Sequence, residues 1–69
     1  MKFKQWLEIG IGKRNASFDA FYDFASNDLT YPWKKSFDKQ VAYLMIHHTN
    51  EGHLEVLRDA YFEYLTVWL

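Results

Sequence analysis

The chain of 69 residues contains no cysteine. Neither a disulfide framework nor a thiolate zinc centre can therefore hold the fold together, and a reducing cytoplasm is the expected compartment. No apolar run approaches the roughly 20 residues that a membrane span needs. The opening Met1-Lys2-Phe3-Lys4 continues into Gln5 and Glu8, not into the apolar stretch of a secretory signal, so no membrane association is expected. There is also little charge of one sign: the net charge is −1, which provides no global attraction to nucleic acid or anionic lipid. Local charge is less even. Residues 1–49 carry seven Lys/Arg against five Asp/Glu, whereas residues 50–69 carry one against four.

What the chain does have is aromatic side chains, 20% of all residues (six Phe, five Tyr, three Trp). At this length a single core serves the whole molecule, and large aromatics compensate for the poor surface-to-volume ratio of a small domain. The chain is expected to fold as one domain without metal or cofactor.

Apolar spacing predicts four helices. Phe3, Trp6 and Leu7 follow the i, i+3, i+4 pattern of one helix face over about residues 2–9. Gly10 and Gly12 then break the pattern, because two glycines would cost a helix roughly 1 kcal/mol each. Asn15 or Ser17 can cap a second helix reaching Asn27, with Phe18, Phe21, Tyr22 and Ala25 on one face. Residues 27–35 have no helical register, and Pro32 disfavours the α conformation at Tyr31, leaving a loop with an aromatic anchor on each side of the proline. Ser36 suits the N-cap of a third helix ending near His48, its inner face formed by Phe37, Val41, Leu44, Met45 and His48. After a turn at Gly52, Leu54, Leu57, Tyr61, Tyr64, Leu65 and Trp68 form the stripe of a fourth and longest helix. No strand-like alternation competes.

With Phe3, Trp6 and Leu7 at its start, Arg14 in the first connection, and Asp28, Tyr31 and Pro32 after the second helix, the chain resembles the YozE SAM-like domains. These are small helical proteins of Gram-positive bacteria and their mobile elements. Asp28, Tyr31 and Pro32 look like that family's Asp-x-x-aromatic-Pro signature. Ser36 and Val41 fall where its third helix begins and packs, and Tyr43-Leu44 resembles its Tyr-Leu pair after a one-residue gap. The resemblance implies a compact orthogonal bundle of four to five short helices, SAM-like in type. It implies no reaction, since SAM-like folds host both protein and nucleic-acid binding.

The residues that could carry chemistry divide into three groups. His47, His48 and His53 lack the i, i+3 or i, i+4 placement of a helical metal pair, so no metal is expected: His48 suits the core edge and His47 the surface. Glu51, Glu55, Asp59 and Glu63 recur every four positions and line up as an acidic stripe, either a solvated face or a docking surface for a protein partner. Lys13, Arg14, Lys34 and Lys35, with Trp33 beside the second pair, are the types that a phosphate backbone and a stacked base require; equally, they are ordinary loop charges, with Trp33 closing the core beneath Pro32.

No serine has a neighbouring base and orienting acid, and Gly10-x-Gly12 lacks the preceding strand and third glycine of a dinucleotide loop. A bundle this small also offers little expected room for the roughly 300–1,000 Å³ of a small-molecule site. The residues favour a non-enzymatic binding module for a protein partner. The alternatives are a nucleic-acid-associated domain, or a mobile-element inhibitor of a host nucleic-acid enzyme.

Overall fold

The aromatic start forms a helix because its apolar residues share one face and are buried together. In the computed structural model, which describes residues 2–47 and 52–68, α1 (Phe3–Ile9) buries Phe3, Trp6 and Leu7. Gly10 ends it, its N–H bonding back to the Leu7 carbonyl at 3.1 Å. Gly12 then takes φ +78°, the left-handed region that costs glycine no Cβ clash, and donates its N–H to the Asp19 carboxylate at 3.0 Å.

Asn15, rather than Ser17, caps α2 (Ala16–Asn27): its Oδ1 accepts the Ser17 N–H at 2.8 Å. The buried face of α2 is Phe18, Phe21 and Ala25, spaced i, i+3, i+7.

Local polar chemistry shapes the loop that follows. Asp28 Oδ1 accepts from both the N–H and the hydroxyl of Thr30, a side-chain-stabilised turn, and its other oxygen accepts the Tyr43 hydroxyl from α3 (Phe37–His47). The turn delivers Tyr31 into the core, where its hydroxyl donates to Gln40 Oε1 at 2.8 Å. Gln40 Nε2 donates in turn to the Lys35 carbonyl at 3.2 Å. Asp28 and Tyr31, two of the three residues of the signature-like stretch, thus fasten the loop to α3.

Within α3 the inner face differs from the expected one. Gln40, 1% exposed, is buried with Leu44, whereas Met45 is 55% exposed. The physical reason is angular: Phe37, Gln40, Val41 and Leu44 form an i, i+3, i+4, i+7 stripe, and Met45 lies a further 100° round, beyond its edge. His48, the last residue expected on that face, lies outside the described residues.

The longest helix, α4 (His53–Trp68), packs against α1, α2 and α3. Leu57 and Ala60 are fully buried, Tyr61 and Tyr64 are packed against the core, and Leu54 and Leu65 are half-buried. Phe3 is a hub for the rings, with centroids 4.9 Å from Tyr61 and 5.5 Å from Tyr64. Trp33 reaches the same cluster from the loop, 4.8 Å from Tyr31, 6.2 Å from Phe3 and 6.3 Å from Phe21. The result is an all-α four-helix bundle with no strand among the described residues. Its radius of gyration of 11.1 Å matches the ~11 Å expected of a compact chain this long. No helix among the described residues is long and apolar enough to cross a membrane.

Arg14 locks the first connection. Its guanidinium lies 3.9 Å from the centroid of the Trp6 ring and donates to the Trp6 carbonyl at 3.0 Å. It passes so close over Gly10 that a Cβ there would overlap it. Glycine at position 10 leaves room for this approach; its φ of −85° is open to any residue, and a Cβ would meet only the flexible end of the Arg14 side chain. Gly10→Ala is expected to push the guanidinium off the ring and lower stability by about 1 kcal/mol. Arg14→Gln should cost a similar amount, and the double variant little more. Chemical denaturation of the three variants checks this, and additive losses would show that glycine and arginine are not coupled.

Candidate functional site

Two grooves on the surface of the described residues fall in the size range that the chain length argues against. They fit on so small a bundle because they lie open between elements and hollow out no core. The first, about 410 Å³, runs between the start of α3 and the outer side of α4, lined by Phe37, Arg58, Tyr61, Phe62 and Leu65. Phe62 is 75% exposed at its edge, an unusual position for a phenylalanine that packing could have covered.

The acidic stripe runs along the same helix. Glu55, Asp59 and Glu63 are all exposed along α4, while Glu51 lies outside the described residues. Asp59 and Arg58 sit three and four residues before Phe62, so they are its neighbours on the helix surface. The groove thus has an apolar floor and one cation at its wall, and Asp59 is the carboxylate of the stripe one turn from Phe62.

The basic candidates separate. Lys13 is exposed in the first connection, and Arg14 is held on Trp6. Lys34 and Lys35 instead line a second groove of about 620 Å³. Its other wall comes from the beginning of the chain: Lys2 and Lys4 converge on the same space, with Pro32 and the half-buried Trp33 beneath. Lys4 Nζ lies 5.6 Å from the Trp33 ring centroid, within cation–π range. Sequence reasoning missed Lys2 and Lys4 because nothing local relates them to residues 30 positions away. Trp33 is one of the rings closing the core and also a wall of this groove.

The titratable groups add structure more than reactivity. Burial pushes the Tyr31 phenol well above its ordinary value, and the hydrogen bond to Asp28 raises that of Tyr43. His53 stacks on Phe24 with centroids 3.8 Å apart and rings 8° from parallel, and His47 lies 4.6 Å from the Tyr43 ring. Among the described residues no three His, Asp or Glu side chains converge as metal ligands would.

Comparison with protein-family models, curated proteins and solved structures finds no match to this chain.

Proposed function

We propose that the domain is a non-enzymatic protein-interaction module whose docking surface is the outer face of α4, and that its partner presents a basic amphipathic helix. The observation that carries this reading is Phe62, three-quarters exposed beside an apolar groove, with Asp59 one turn away and Glu55 and Glu63 exposed on the same helix. An exposed apolar anchor on a groove, with carboxylates on the same helix, suits a helix-in-groove interface, and Arg58 in the lining can pair with an acidic residue of the partner. Apolar residues of the partner at i, i+3/i+4 and i+7 fill the groove, while its Lys or Arg side chains meet the stripe. The carboxylates select the sign of the partner and speed encounter more than they add affinity. The resemblance to YozE SAM-like domains, whose fold type hosts protein binding, agrees with this proposal, as does a cytoplasmic location.

A photo-cross-linking amino acid at position 62, in cells that make the protein, is expected to label one protein segment with a basic amphipathic pattern. As a synthetic peptide, that segment should bind the purified domain. Phe62→Ala should weaken it by about 2 kcal/mol, some 30-fold, while changing the domain's own stability by less than about 0.5 kcal/mol. Glu55→Lys with Asp59→Lys should also abolish capture with the fold intact. Labelling of a second copy of the domain alone, or peptide binding indifferent to these variants, would sink the proposal.

A further inference from the structure

The groove between the start of α1 and the α2–α3 loop is independent of the α4 face and differs from it in chemistry. Lys2, Lys4, Lys34 and Lys35 surround it, and the one carboxylate in its lining is Glu8. That carboxylate already accepts a hydrogen bond from the Tyr22 hydroxyl at 2.8 Å. Four like charges drawn to one concavity repel one another, and an anion placed among them relieves that repulsion. All four lysines are exposed, and Lys4 lies over the Trp33 ring.

Charge alone would suit any anion, but the rest of the lining is more selective. Pro32 and the exposed part of Trp33 give the groove a flat apolar patch, and Gln5 adds an amide able both to donate and to accept. A volume of about 620 Å³ lies within the range of small-molecule sites. Amines for a phosphate, an aromatic and proline surface for a planar ring, and an amide for its polar edge together match one nucleotide. We infer that this groove binds a nucleotide unit, its phosphate among the four lysines and its base against Pro32 and Trp33. The unit is either a free nucleoside phosphate or one residue of a single strand.

Equilibrium binding to the full chain tests this with four probes: ATP, a ten-residue oligothymidylate, an abasic oligomer of the same length, and a polyglutamate peptide. The oligothymidylate or ATP is expected to bind, with the tighter of the two identifying the source. The abasic oligomer should bind at least tenfold more weakly than the oligothymidylate, and polyglutamate weakest of all. Lys4→Gln with Lys34→Gln should reduce affinity at least tenfold. If a strand is the ligand, the logarithmic salt slope should also fall by about 1.4, at roughly 0.7 for each single-strand phosphate that a lysine no longer neutralises. Lys13→Gln with Lys39→Gln, outside the groove, should change neither. Circular dichroism of both double variants confirms that the fold is retained. Equal binding of abasic and base-bearing oligomers, equal binding of polyglutamate, equal losses in the two double variants, or no binding of ATP or oligothymidylate would each overturn the inference.

Discussion

Replacing Trp6 by alanine is expected to remove about 3–5 kcal/mol of stability, the largest loss of any single substitution considered. The ring is 3% exposed and holds three things at once. It packs against Phe3 and Tyr64, with centroids 6.2 and 5.7 Å away, reaches Phe18 of α2 at 6.5 Å, and carries the Arg14 guanidinium on its face. Removing a buried tryptophan costs about 3–5 kcal/mol, because the transfer energy of the ring is lost and the cavity left behind collapses only partly. At about 0.05–0.15 kcal/mol per residue, a chain of this length has roughly 3–10 kcal/mol in total. One substitution therefore removes about a third of the stability or more. A thermal melt followed by far-ultraviolet circular dichroism should fall by about 12 °C or more, given the 4–8 °C per kcal/mol of domains this small. Trp6→Phe should retain much of the difference. A melt within about 4 °C of the parent would show that α1 contributes little to the core.

The second large effect is expected at the buried Tyr31–Gln40 pair. Tyr31→Phe removes a hydroxyl and little volume, but leaves the Gln40 carbonyl oxygen in a nearly fully buried side chain without its donor. An orphaned buried polar group costs about 1–3 kcal/mol, whereas removing both partners can be nearly neutral. Gln40→Leu alone strands the Tyr31 hydroxyl and the Lys35 carbonyl and should cost at least as much. The double variant Tyr31→Phe, Gln40→Leu should be more stable than the sum of the two losses predicts, by about 1 kcal/mol or more in a denaturation cycle. Additive losses would mean that the hydrogen bond is immaterial.

The same pair gives a pH signature. The folded state raises the Tyr31 phenol above the ordinary value near 10, so it keeps a proton that the unfolded chain has lost. The stability linked to this group is whole below about pH 10 and declines as pH rises above it. Tyr31→Phe should flatten that decline, although Tyr43, shifted the same way by Asp28, retains part of it.

Much of the fold was legible along the chain. Phe3, Trp6 and Leu7 marked a helix face, and Phe18, Phe21 and Ala25 marked another, because helical periodicity maps sequence directly onto one side of a cylinder. Hydrophobicity alone places Met45 on the inner face of α3 and gives no reason to place Gln40 there. An apolar residue at the edge of the stripe was expected inside, whereas an amide able to satisfy the Tyr31 hydroxyl and the Lys35 carbonyl took the buried place. Whether Trp33 belongs to the core or the surface was likewise open, and it turns out to contribute to both, packed on Phe3, Phe21 and Tyr31 while walling the basic groove. Along the chain Arg14 reads as a phosphate-contact candidate or an ordinary loop charge. Nothing in its neighbours announced that Gly10 clears a path for it to Trp6.

By itself, the sequence determined the class of fold, the positions of the helices, and the line of carboxylates on α4, since each of these depends on residues within a turn or two of one another. Tertiary structure alone decided the two grooves. The apolar one exists because Phe37, at the start of α3, comes beside Tyr61, Phe62 and Leu65 of α4, with the Phe37 and Tyr61 centroids 4.8 Å apart. The basic one exists because the Asp28 turn carries Trp33, Lys34 and Lys35 back over the beginning of α1, where Lys2 and Lys4 wait. Charges that far apart along the chain acquire a common field only when folding lines one groove with them, and no local pattern records that meeting in advance.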